Sequence, residues 1–139
     1  MRRIIVGVDG SAASRAALAW AVDEAVSPTA EVRVVHVWDH PYIGGDPLAK
    51  MLADSDDMEA QAQRELDSVV DAVDTSRLAT SVQRMLRCGR PADWLLREAK
   101  DADLVVIGRK GLGGLQLGSV GHGVTLHATC PVVVVPTQS

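Results

Sequence analysis

The sequence predicts a parallel α/β sheet with helices on both faces. Two observations carry this reading: five short strand-like runs, most of them apolar and β-branched and one alternating, and stretches with helical spacing that alternate with them. Strands that are apolar on both faces must be covered on both, and the intervening helices supply that cover.

Arg3 to Val8 is apolar and β-branched and reads as a buried strand. Ser11 stands where it can cap a helix over about residues 12 to 26. Ala13, Ala17, Trp20, Ala21 and Ala25 recur there at helical spacing, and Ser27-Pro28-Thr29 ends it. Glu31 to Trp38 is the second strand. Asp39 to Leu48 carries two prolines and the Gly44-Gly45 pair and reads as an ordered loop or lid. A helical pattern resumes from about Lys50 to Val73, with Leu66, Val69, Val70 and Val73 on one side. The carboxylates Asp54, Asp56, Asp57 and Glu59 near its start suit a solvated first turn at the positive end of the helix dipole better than a metal site.

Thr80 to Arg87 alternates and reads as strand three. Gly89-Arg90-Pro91 is a stop followed by a proline-led helix, with Trp94, Leu95 and Ala99 facing inward. Asp103 to Ile107 is strand four, Ser119 to Ala128 a last helix, and Pro131 to Val135 strand five.

At 139 residues the chain reads as one domain, residues 1–139, and 47% of it is apolar, enough for a globular core. Trp20, Trp38, Trp94 and Tyr42 are its aromatic residues, too few for stacking platforms on single-stranded nucleic acid. A net charge of −4 gives no general attraction to a phosphate polymer, so no nucleic-acid partner is expected. Cys88 and Cys130 lack CxxC or zinc-like spacing and are expected as reduced thiols in or near the core of a cytoplasmic protein. Met1-Arg2-Arg3 precedes an apolar run too short for a signal peptide, and no segment approaches the roughly 20 apolar residues that span a bilayer.

The stretch from Gly108 to Gly123 holds the densest chemistry. Six of the 12 glycines fall between Gly108 and Gly121, after an apolar run and before a helical segment. Glycine lets backbone approach a ligand, a helix start offers free N–H groups, Ser119 adds a hydroxyl, and Arg109 and Lys110 add charge. That suits phosphate oxygens, where a bare surface loop would need none of it. The stretch is not a P-loop, because Gly111 follows Lys110. Nor does Gly7-Val8-Asp9-Gly10-Ser11 after the first strand make the dinucleotide GxGxxG.

In an open parallel sheet, ligands bind outside the carboxyl ends of the strands, near the point where strand order reverses. Asp9, Val37 and Gly108 stand at three such ends. Asp9 can accept hydrogen bonds from a base or ribose, cap the following helix, or do both. A phosphoacceptor receiver would need an acceptor Asp after strand three and a Lys after strand five; Arg87-Cys88-Gly89 and Pro136-Thr137-Gln138 stand there instead. His36, His40, His122 and His127 are not spaced as metal ligands and read as surface or packing residues, and Ser119 has no evident general base. No catalytic or metal residue is assigned.

Taken together, these pieces resemble the universal stress protein family. They are Ile5-Val6, Val8-Asp9-Gly10-Ser11, Val35-His36-Val37, Gly89-Arg90-Pro91-Ala92, Ala102 to Gly108, Gly118-Ser119-Val120 and Cys130-Pro131-Val132 to Val135, spread over residues 3 to 136. The resemblance implies a five-stranded, Rossmann-like parallel sheet of the adenine nucleotide alpha hydrolase-like kind, usually in a homodimer whose last strands meet. It implies an adenine nucleotide, ATP first, or AMP or cyclic AMP, with Mg possible beside ATP. Asp9 and Val37 would hold the adenosine end, Val37 through its backbone, and Gly7 is counted among the cofactor-binding residues. Gly108, Arg109, Gly111, Gly118, Ser119 and Val120 would hold ribose and phosphates.

One departure stands out. The family's ATP-binding signature has nine residues between the second glycine and the Gly-Ser pair, whereas Leu112 to Leu117 are six, so the loop is three residues short. Seven virtual bonds of about 3.3 Å still reach roughly 23 Å, so reach alone does not forbid a site. The expectation is a nucleotide-binding stress or regulatory protein with at most slow ATP hydrolysis; the alternative is a dimeric interaction module of the same fold that binds no nucleotide. The run Val132 to Val135 has no polar face and is expected to be buried on both sides and to pair with its copy in a second chain.

Overall fold

The computed structural model of the protein describes residues 1–38, 55–109 and 119–136, and of Ser55, Asp56, Ser119 and Val120 the backbone alone. Its elements are β1 (Arg2–Val8), α1 (Ala12–Val26), β2 (Ala30–Trp38), α2 (Ser55–Asp71), β3 (Gln83–Cys88), α3 (Pro91–Ala99), β4 (Leu104–Gly108), α4 (Ser119–His127) and β5 (Val132–Val135). The strands form one parallel sheet in the order β3-β2-β1-β4-β5. The fold is the five-stranded parallel α/β sheet that the sequence predicts. The Asp39–Leu48 loop and the expected start of the second helix at Lys50 lie outside the described residues.

Side chains of one strand alternate between two cores. Ile4, Val6, Val34 and Val106 pack under α1 and α2, against Leu18, Val22, Leu66 and Val69. Ile5, Val35, Val105 and Ile107 pack under α3 and α4, against Leu95, Ala99 and Val124. The inner stripe of α1 is built from Ala13, Ala17, Ala21 and Ala25, all buried, which lets the helix lie close to the sheet. Ser11 starts it as expected, its Oγ accepting the Ser14 N–H at 3.3 Å.

Four expectations need correction. β3 begins at Gln83 rather than Thr80. β4 runs one residue further than expected, so Gly108 is its last residue, in register with Val135, rather than the first of a loop. Val132, Val133 and Val134 are half-buried and only Val135 is buried, because β5 is an edge strand with β4 as its one neighbour in the sheet. Cys88 is exposed at the end of the opposite edge strand, not a core thiol, and Cys130 is half-buried.

Candidate functional site

The chain leaves β1 toward β2 on one side and later crosses to β4 on the other, so strand order reverses at β1. The register brings Gly7 between Val35 and Ile107. Asp9, Val37 and Gly108 therefore share the carboxyl rim, with Asp9 following the central strand. α1 and α4 each follow a strand of a parallel pair, so their N-termini return to the same rim.

Asp9 is held by local bonds. Its Oδ1 accepts from the Ser14 hydroxyl at 2.8 Å and from the Ser11 N–H at 3.0 Å, while its own N–H donates to Ser14 Oγ at 2.8 Å. Oδ1 thus braces the turn, and among the described residues no hydrogen bond is made to Oδ2. Loss of water on the inner side pushes the Asp9 carboxyl up. The bonds from Ser11 and Ser14, with the His36 side chain nearby, outweigh that and leave its pKa below the ordinary aspartate value. Gly10 follows with φ +87°, a left-handed turn that suits glycine.

Gly7 and Gly108 have packing reasons of their own. A Cβ on Gly7 would lie 2.8 Å from Leu95 Cδ1, on the α3 side of the sheet. A Cβ on Gly108 would lie 2.5 Å from the Ala13 carbonyl oxygen, on the α1 side. The Arg109 N–H is likewise engaged, donating to the Val135 carbonyl at 2.8 Å and extending the β4–β5 ladder.

Val37 differs from its neighbour. The Trp38 carbonyl accepts the Gly89 N–H at 2.9 Å, on the β3 side. In a parallel ladder successive residues turn their polar groups to opposite sides, so those of Val37 turn toward β1. The β1–β2 register stops at Val8 opposite His36, which leaves the Val37 carbonyl beyond the last pair, beside Asp9. Gly111 and Gly118 lie outside the described residues, and of Ser119 and Val120 only the backbone is described, as the first turn of α4.

His36 carries more than a packing histidine would. Its ring is buried, with Nδ1 3.0 Å from the Val8 carbonyl and Nε2 2.9 Å from Glu65 Oε2 on α2. The available signal was a histidine set between Val34, Val35 and Val37 in β2. The partner Glu65 was not legible, because nothing local links residues 29 positions apart. His122 and His127 are exposed.

Comparison with known proteins agrees with this geometry. The family model described as the universal stress protein family matches residues 1–136. A universal stress protein of Mycolicibacterium smegmatis is 35% identical over 147 residues, covering 95% of this chain and 45% of that protein. The chain thus spans about half the length of the curated relatives it matches. Among solved structures, a universal stress protein in complex with cAMP aligns with a TM-score of 0.73 at 25% identity, over 99% of this chain and 98% of that one. The universal stress protein of Archaeoglobus fulgidus in complex with dAMP aligns with a TM-score of 0.64 at 25% identity, over 97% and 98%. On the strength of its strand order, its rim and these matches, the chain belongs to the universal stress protein family.

Proposed function

We propose that this protein binds an adenine nucleotide at the carboxyl rim around β1 and serves stress response or regulation through partner contacts that change on binding. The observation that carries this is the placement of Asp9 and the Val37 carbonyl together at the switch point, in a fold that two solved relatives show in complex with cAMP and dAMP. Asp9 accepts from ribose or base, and Val37 offers its backbone to the base edge. ATP is the nucleotide expected first, with Mg beside it, in a cytoplasmic homodimer joined through Val132–Val135. No residue is assigned to catalysis.

A second reading keeps the fold without the nucleotide, as an interaction module. It is favoured by the six residues between Gly111 and Gly118, and by the packing that already accounts for Gly7 and Gly108. The two readings part on ligand-induced stabilisation. A ligand at about 100 times its Kd, bound to the folded state alone, adds roughly 2.7 kcal/mol. Melting curves with millimolar cAMP, dAMP and ATP with magnesium should rise, and calorimetry should give one site per chain. No rise with any of the three would establish the interaction module.

A further inference from the structure

We propose that His36 is a positioning residue for the nucleotide site, and that its proton couples nucleotide affinity to pH. The inference rests on the nucleotide reading above and names a regulation of that same site.

The argument starts from donors and acceptors. A backbone carbonyl only accepts, so Nδ1 facing the Val8 oxygen at 3.0 Å must carry a proton. Nε2 faces Glu65 Oε2 at 2.9 Å, and an ionised carboxylate there only accepts. With Glu65 ionised, the ring that satisfies both contacts is an imidazolium. Glu65 is held in turn, its Oε1 accepting from the Gln61 amide at 3.3 Å.

The ring grips the peptide that sets Asp9. The Val8–Asp9 peptide is fixed at both ends, its carbonyl by His36 and its N–H by Ser14 Oγ at 2.8 Å. Glu65 touches the next turn residue too: a Cβ on Gly10 would lie 3.3 Å from Glu65 Cβ. One ion pair thus clamps the central strand end to α2, directly behind the carboxylate expected to meet the ligand.

Among the described residues, the charged groups on the elements packed against the ring include carboxylates and Arg84 of β3, which is itself paired with Asp67 and Asp71 of α2. Glu65 and Asp57 come from α2, where they line a cavity of about 370 Å³ together with His36, and Asp9 follows β1. From β3 the residue in register is the apolar Leu86. The Glu65 side chain is 36% exposed, so protons reach the pair without unfolding. When the ring loses its proton, one nitrogen turns a lone pair toward an acceptor, the clamp loses a bond, and the Asp9 turn loosens.

The probe is cAMP, whose phosphodiester keeps one charge over about pH 5 to 9, the range that covers histidine titration. Wild-type affinity should fall by roughly five- to tenfold across that range. Glu65→Gln is the discriminating variant. Its amide can donate to a neutral Nε2, so the contact and the fold persist while the pH dependence flattens; His36→Gln should flatten it too, at weaker affinity. Parallel pH profiles in all three proteins would overturn the proposal. Nitrogen NMR of the His36 ring gives a readout independent of ligand: both nitrogens protonated at the acid end of that range in wild type is expected, and a neutral tautomer throughout it would overturn the proposal. If none of cAMP, dAMP and ATP with magnesium binds at any pH, the nucleotide reading fails. Amide exchange at Asp9 and Gly10 then decides the clamp, since it should speed up with pH beyond the intrinsic rate in wild type but not in Glu65→Gln.

Discussion

Gly108 and the carbonyl of Ala13 stand so close that a Cβ on Gly108 would sit 2.5 Å from the Ala13 oxygen. The first turn of α1 therefore rests on the end of β4, and the glycine belongs to the scaffold whether or not it also meets a ligand. Backbone on both sides leaves no flexible end to move aside.

Gly108→Ala should accordingly destabilise the protein by about 1–3 kcal/mol, the usual range for overpacking. Gly123→Ala serves as the contrast, because a Cβ there meets Ala92 Cβ at 3.4 Å, an ordinary contact, inside α4. Alanine in a helix interior gains roughly 0.5–1 kcal/mol over glycine, so that variant should be more stable. Urea unfolding without ligand tests both. Equal effects of the two substitutions would remove the scaffold role.

Asp9 predicts a pH dependence. Its native pKa is lowered, so the stability it contributes is fully present above its unfolded value and is lost as pH falls through the native one. Asp9→Asn keeps an oxygen acceptor for Ser11 and Ser14 but not the charge. The variant should be less stable than wild type at pH 7, and the gap should close on acidification. Unfolding curves taken stepwise from pH 7 downward measure this; a gap that stays constant would refute it.

Edge pairing makes a third prediction. The carbonyls of Pro131 and Val135 accept from the N–H groups of Val105 and Arg109, so odd-numbered residues of β5 face β4. By alternation Val134 turns its N–H to the open edge. Val134→Pro removes an outward donor while leaving the β4 ladder in place. Sedimentation should give a dimer for wild type and monomer or aggregate for the variant. A wild-type monomer at tens of micromolar would end the self-pairing idea.

Catalysis is expected to be slow. Turnover of ATP should fall far below the roughly 1–1,000 per second common among enzymes. A robust rate that survives purification and disappears in Asp9→Asn would make the protein an enzyme.

The strands and helices were legible because their signals are local. Val32, Val34 and Val35 mark β2 without help from any other segment, and Ser11 caps α1 through the turn it begins. The parallel sheet follows from apolar faces that helices must cover. Asp9 and Val37 were legible as rim residues for the same reason, since a strand end is visible in the run that precedes it.

Other features only the tertiary structure decided. Strand order places β4 beside β1 across about a hundred residues of chain, and no periodicity reports such a distance. The same holds for the roles of particular residues. Gly7 and Gly108 read as ligand glycines, and only the fold shows that they also pack against Leu95 and Ala13. Val132 to Val134 read as fully buried, and their place at the sheet edge makes them half-buried. His36 read as packing until Glu65 and the Val8 carbonyl met its two nitrogens. The chain's own pattern determines which segments become strands and helices, because hydrogen bonding and amphipathicity act over a few residues. Which side chains meet depends on how those segments dock, and there close packing and the pairing of buried polar groups decide.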